Sequence, residues 1–197
     1  MSRKGEFSRK TRETHIELKL DLDGKGVFDI NTGIGFFNHM LETFSKHSLI
    51  DLRLDGSGDI NVDYHHFIED AGILVGKSIR DLLGDLKGVR RFGSAVVPLD
   101  EALAEVSIDI SGRPGCFTDF SQYSGTIGNF NFELVEVFFS GFASAGHTLH
   151  ILVKRGNNLH HIAEAACKAF ARAIREAVEI DPKIQGIIPS TKEYIEV

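Results

Sequence analysis

Two adjacent histidines followed by a glutamate occur twice in this chain, as His65-His66-Phe67-Ile68-Glu69 and as His160-His161-Ile162-Ala163-Glu164. The whole sequence holds nine histidines in 197 residues, so chance explains such a repeat poorly. A helix turns about 100° per residue, which puts positions four apart on one face. His65 with Glu69, and His160 with Glu164, could therefore each grip one ion, whereas His66 and His161 point elsewhere. If the two helices meet about a pseudo-twofold axis, each spare histidine completes the other's site. One ion would then take His65, Glu69 and His161, and the second His160, Glu164 and His66. Neutral imidazole with carboxylate suits Mn, Fe, Zn or Ni better than Ca or Mg. The partial positive charge of a helix start also favours unprotonated imidazole. A single His-x-x-x-Glu is ordinarily a surface or capping pair; the duplication is what points to metal. Two ions can hold one small ligand from both sides, which one ion cannot.

The flanking segments repeat as well. Residues 15–24 and 104–112 alternate apolar and polar as half-buried strands should, and each ends on glycine. Apolar helical stretches follow at 36–44 and 134–142, then strands at 49–54 and 148–154, then long helices at 64–84 and 159–179. Asp63 and Asn158 stand two residues before the first histidine of each cluster, where a cap accepts backbone N–H bonds. Strands covered by helices predict an α+β class of duplicated βα half-domains. The first half-domain, 1–88, holds the first cluster; the second, 89–197, holds the second cluster and a C-terminal tail. Asp23-Gly24-Lys25-Gly26 and Asp55-Gly56-Ser57-Gly58 read as hairpin turns.

Composition narrows the class. Apolar residues at 42% and charged residues at 25% are those of a soluble globular protein. No apolar run is long enough to span a membrane and no apolar stretch follows the basic N-terminal residues, so neither a membrane role nor a secretory signal is expected. Cys116 and Cys167 lack metal or redox spacing and read as reduced thiols of a cytoplasmic protein. A net charge of −6 argues against nucleic acid as a partner, the phenylalanine-rich stretch 117–132 included.

Taken together, several segments resemble the imidazoleglycerol-phosphate dehydratase family. They are Thr11-Arg12-Glu13-Thr14, the stretch from Gly33 to Leu41 with His39, both histidine clusters, Arg90-Arg91-Phe92-Gly93, Pro98 to Ala104, Ser111-Gly112-Arg113-Pro114, Thr148-Leu149-His150 and Pro189-Ser190-Thr191-Lys192. The resemblance spans nearly the whole chain. It implies a ribosomal protein S5 domain 2-like fold for each half. It also implies a hydro-lyase of histidine biosynthesis that dehydrates D-erythro-imidazole glycerol phosphate to imidazole acetol phosphate. Two Mn(II) ions would bind the substrate ring as imidazolate, so that the ring itself can expel the neighbouring hydroxyl.

By the same resemblance His39, His66, His160 and Glu164 hold one ion, and His65, Glu69 and His161 hold the other. Glu13 is the base. Arg91, Arg113, Lys168, Ser190, Thr191 and Lys192 bind the substrate, as cations and hydroxyls suited to a phosphate would. One departure stands out: Val137 occupies a position where many members carry a further histidine, and valine cannot bind metal. His147, His150 or Glu136 could substitute, or a water; His15 and His47 read as non-ligands. The resemblance further implies a homo-oligomer of about 24 copies with sites at subunit contacts. A metal-dependent hydrolase and a metal-binding shell without catalysis are the competing readings. The hydrolase would favour bridging Asp, and the shell would leave Glu13 and the arginines without a common purpose.

Overall fold

The computed structural model describes residues 3–195. Six elements form a first unit: strands β1 (Lys4–Lys10), β2 (Thr14–Asp21) and β3 (Phe28–Asn31), helix α1 (Gly35–Ser48), strand β4 (Asp51–Gly58) and helix α2 (His65–Leu83), followed by the connection to strand β5 (Phe92–Leu99), which opens the second. The second unit continues with β6 (Ala102–Asp109), β7 (Gly115–Thr118), the short strands β8 (Thr126–Ile127) and β9 (Phe130–Asn131), α3 (Glu133–Ala143), β10 (Thr148–Arg155) and α4 (Leu159–Ala177). The two main sheets have the same order, β1-β2-β4-β3 and β5-β6-β10-β7, with only the last strand of each parallel to its neighbour. Their registers also correspond: Asp21 faces Asp51 in the first sheet as Asp109 faces Thr148 in the second.

Period-2 patterning creates these sheets. In β2, Ile16, Leu18 and Leu20 turn inward while His15, Glu17 and Lys19 face out; β6 does the same with Ala104, Val106 and Ile108. Helices of each unit cover the inner face of their own sheet and pack on the helices of the other unit, α1 on α4 and α2 on α3. One apolar cluster therefore runs through both units.

Small residues permit this close approach. A Cβ on Gly76 of α2 would lie 2.2 Å from the Phe142 carbonyl oxygen of α3, and one on Gly72 would lie 2.4 Å from that of Phe138. Backbone cannot yield as a flexible side chain can. Gly76→Ala is expected to lower stability by about 1–3 kcal/mol despite alanine's better helix propensity, which urea unfolding would detect.

Two expected turns are not hairpins. Residues 23–26 lead from β2 to β3, which lies across β4 rather than beside β2. That turn is built on Asp51, whose Oδ1 accepts from the backbone N–H of Lys25 and of Val27, each at 2.8 Å. Residues 55–58 lie inside β4, paired with β2 from Thr14↔Gly58 to Glu17↔Asp55. Their glycines leave room for the Phe67 ring, which would stand 2.9 Å from a Cβ on Gly56 and 3.1 Å from one on Gly58. Periodicity reported turn-forming residues there; tertiary packing used them as a floor for an aromatic ring.

Candidate metal centre and phosphate cavity

The second histidine cluster opens α4 as the cap predicted. Asn158 Oδ1 accepts from the backbone N–H of His160 at 2.9 Å and of His161 at 3.3 Å. Asp63 Oδ1 accepts from the His65 N–H at 2.8 Å before α2. These bonds satisfy first-turn donors and fix where each pair of imidazoles leaves the helix.

Because α1 packs on α4, His39 is brought to His160 and Glu164, and the candidate ligand atoms of these three all lie within 4.8 Å of one another. Glu164 Oε2 stands 3.2 Å from His160 Nε2 and 3.5 Å from His39 Nε2. Neighbouring ligands of an ion with bonds of about 2.1 Å stand about 3 Å apart, so this donor set fits a divalent transition ion. Phe36 walls the cluster, with its ring 5.2 Å from that of His160 and 6.3 Å from that of His39. Lys168, one further turn along α4, reaches Glu164 Oε1 at 2.9 Å. Burial pushes the Glu164 pKa up, but the Lys168 ammonium and His39 outweigh it and hold the carboxyl below its ordinary value. Glu164 is thus kept anionic.

The other expected ligands do not join this group within one chain. α2 and α4 do not form a packed pair, so the pseudo-twofold meeting of the two clusters expected from helix geometry does not occur inside a protomer. His66 turns to Asp59 and Glu13, with its Nδ1 2.9 Å from Asp59 Oδ2 and 3.9 Å from Glu13 Oε2. His161 turns to Glu101, with Nδ1 2.7 Å from Oε2. Donation of a hydrogen bond to Asp59 raises the His66 pKa, and donation to Glu101 raises the His161 pKa. Glu101 is itself brought down to about 2 by His161 and by backbone N–H donors.

His65 and Glu69 are exposed on α2, and among the described residues no third metal-binding side chain completes a cluster with them. Val137 stands in α3 where His39 stands in α1, each the fifth residue of its helix, and packs against the core. Within the chain each proposed substitute is engaged elsewhere. Glu136 accepts from Thr118 Oγ1 at 2.8 Å, and the ring of His150 stacks on Phe117 at 4.7 Å on the outer side of β10. His147 is fully buried, stacked on Phe142, with Nε2 3.1 Å from the Gly76 carbonyl oxygen.

Burial depresses the His147 pKa to about 4, against 6.5 for the free side chain. The unfolded chain takes up this proton below pH 6.5 while the folded chain resists, so stability is full above 6.5 and declines toward pH 4. The loss approaches about 3 kcal/mol at one pKa unit per ~1.4 kcal/mol. His147→Phe should flatten the slope of unfolding free energy against pH across that interval, whatever its effect on absolute stability.

The expected phosphate-binding residues separate into two groups. Arg91, Arg113, Ser190, Thr191 and Lys192 line one cavity of about 820 Å³ together with Ser111. Arg91 is a strut there: its Nε and Nη2 donate to Asp109 at 2.6 and 3.0 Å, and its Nη1 to the Pro189 carbonyl at 2.8 Å. Arg113, with its side chain 63% exposed, shares Asp109 at 3.6 Å, and it and the exposed Lys192 are the cations of this cavity that face solvent. Lys168 lies with the histidine cluster instead.

The sequence pattern describing imidazoleglycerol-phosphate dehydratase matches residues 32–174, most of the chain. The chain belongs to the imidazoleglycerol-phosphate dehydratase family. It is therefore an enzyme, a lyase of the dehydratase type. The imidazoleglycerol-phosphate dehydratase of a Polaromonas species is 54% identical over 191 residues, covering 96% of this chain and 93% of its own. That of Alkaliphilus metalliredigens is 54% identical over 195 residues, covering 98% of each. The crystal structure of the Staphylococcus aureus dehydratase superimposes with a TM-score of 0.79 at 38% identity, over 89% of this chain and 98% of that one. The Pyrococcus furiosus enzyme, solved in complex with (S)-C348, gives 0.83 at 32% identity, over 96% of this chain and 100% of that one. Among the described residues no helix is long and apolar enough to cross a membrane.

Sequence reasoning missed Asp59 and Glu101 as neighbours of the clusters. A signal for Glu101 existed. The sheet registers align Glu13, just before β2, with Glu101, just before β6, so extending the repeat upstream pairs the two glutamates.

Proposed function

We propose that this protein dehydrates D-erythro-imidazole glycerol phosphate to imidazole acetol phosphate in histidine biosynthesis. The observation that carries this reading is the convergence of His39, His160 and Glu164 from two units of the fold, in a chain of this family. His39, His160 and Glu164, with a partner subunit's copy of His66, would hold one divalent ion; His65 and Glu69, with a partner subunit's copy of His161, would hold the second. The directions of the His66 and His161 side chains, away from the clusters of their own chain, support completion across subunits in an assembly of about 24 copies. Such ions, Mn(II) by the family resemblance, supply Lewis acidity to the imidazole ring.

The chain's own groups do the rest. Arg113, Ser190, Thr191 and Lys192 take the phosphate, with Arg91 bracing their cavity against Asp109. Lys168 keeps Glu164 ionised. Glu13 takes the proton from the substrate carbon: its carboxylate is 55% exposed and accepts no close hydrogen bond among the described residues. The phosphate site draws on Lys168 only if a neighbouring copy brings it to the cavity, which again favours a site shared between subunits.

Mixing the purified protein with Mn(II) and imidazole glycerol phosphate tests the proposal. The ketone product is the expected result. Release of inorganic phosphate would make the protein a hydrolase, and no change in the substrate would make it a metal-binding shell.

A further inference from the structure

The two units present their second histidines in the same way but hold them with different carboxylates. In both, Nδ1 is the nitrogen engaged: His66 Nδ1 lies 2.9 Å from Asp59 Oδ2, and His161 Nδ1 lies 2.7 Å from Glu101 Oε2. By strand register, however, the counterpart of Glu101 is Glu13, and the counterpart of Asp59, once the bulge between Val153 and Arg155 has shifted β10 by one residue, is Asn157. In the second unit Asn157 places no carboxylate in that space, and the glutamate reaches the imidazole. There it is also pinned by the backbone N–H of Asn158 at 3.0 Å and of Asn157 at 3.4 Å. In the first unit an aspartate fills that space. Its backbone N–H donates to the Glu13 carbonyl at 3.1 Å, fixing the two residues side by side, while the Glu13 carboxylate stands off at 3.9 Å from the ring.

We infer that Asp59 and Glu101 are positioning residues, each holding its histidine with Nδ1 protonated and Nε2 free for a metal, and that Asp59 does so in place of Glu13, which is thereby released for proton transfer. The inference rests on the proposed dehydratase reading for the role of Glu13, but its geometric half does not. A metal-bound histidine needs its other ring nitrogen engaged, and removing such a partner typically costs about 10–100-fold in metal affinity. A carboxylate already bonded to an imidazole is oriented and neutralised, and so is a poor base. The duplicated scaffold supplies one glutamate for each histidine. Adding one aspartate to one half turns two equivalent struts into a strut and a base.

The decisive measurement is the histidine tautomer in metal-free protein at about pH 9, above the imidazole range, read from long-range ¹⁵N–¹H couplings. His66 and His161 are both expected as the Nδ1–H form. Glu101→Ala should move His161 to Nε2–H. Asp59→Ala should leave His66 as Nδ1–H, because Glu13 moves onto it, whereas the double variant with Glu13→Ala should lose that preference. In the same Asp59→Ala protein kcat should fall by at least about tenfold although Glu13 is intact. Asp59→Asn, which keeps an acceptor at the position, should recover most of that loss. Wild-type His66 or His161 found as Nε2–H would overturn the inference, as would loss of the Nδ1–H form in the single Asp59 variant, or a kcat there within about twofold of wild type. If the wild-type protein makes no ketone, the dehydratase reading has failed, and the tautomers still report on the struts.

Discussion

Glu13→Gln lowers kcat by about 10²–10⁴-fold and leaves the metal-to-chain ratio as it was. The substitution keeps shape and hydrogen-bonding length but removes the basic lone pair at neutral pH. Nothing in the fold depends on the charge. Glu13 sits where the turn between β1 and β2 ends, its backbone N–H bonded to Thr11 Oγ1 at 3.1 Å, and its side chain is half exposed. A stability change beyond a few tenths of a kcal/mol is therefore not expected. The nearest metal candidate, His66, is held by Asp59 rather than by Glu13, so metal binding should be indifferent to the change. Steady-state kinetics beside elemental analysis checks both halves; an active Glu13→Gln protein would remove this residue from the chemistry.

A second large effect is expected from Glu164→Ala, which takes the only carboxylate out of the cluster with His39 and His160. Loss of an outer partner of a metal ligand typically costs about 10–100-fold in affinity, and loss of a ligand itself should cost more. The metal-to-chain ratio should fall from about two to about one, with turnover reduced by more than about a hundredfold. Lys168, left facing two imidazoles without its counter-charge, would further disfavour a cation there. Full metal loading of the variant, measured after dialysis against chelator, would show that the cluster is not a metal centre. Wild type supplies a separate reading of Val137: a ratio near one before any mutation would mean that the site of His65 and Glu69, without a further ligand from α3, holds no ion.

The two struts and the cluster also explain how a repeated sequence avoids making two identical sites. His39 and Val137 occupy matching turns of matching helices, and Asp59 and Asn157 occupy matching positions past strands β4 and β10. Each substitution is local and leaves the packing of α1 on α4 and of α2 on α3 untouched. The scaffold is symmetric where it carries load in the core and asymmetric where side chains meet solvent or ligand.

Sequence alone determined the four helices and the order of strands β2, β4, β6 and β10 among them, whereas β1, β3, β5 and β7 had no segment assigned to them. The helices predicted at 64–84 and 159–179 are His65–Leu83 and Leu159–Ala177, because cap, apolar period and cluster all agree locally. It also determined which residues have ligand chemistry, since His-His-x-x-Glu on a helix fixes relative directions without any knowledge of the fold. Sequence could not say what those directions meet. Only the tertiary structure decided that α4 packs on α1 and not on α2, which gives His39 to His160 and Glu164 and sends His66 and His161 outward. It turned residues 55–58 from an expected hairpin into strand, because a glycine run is equally a turn signal and a bed for Phe67. It buried His147, a candidate ligand by type, against Phe142 and Gly76. In each case the physical reason is the same: propensity and period act within about a turn or a strand, whereas the identity of a side chain's neighbour depends on contacts between residues far apart in the chain.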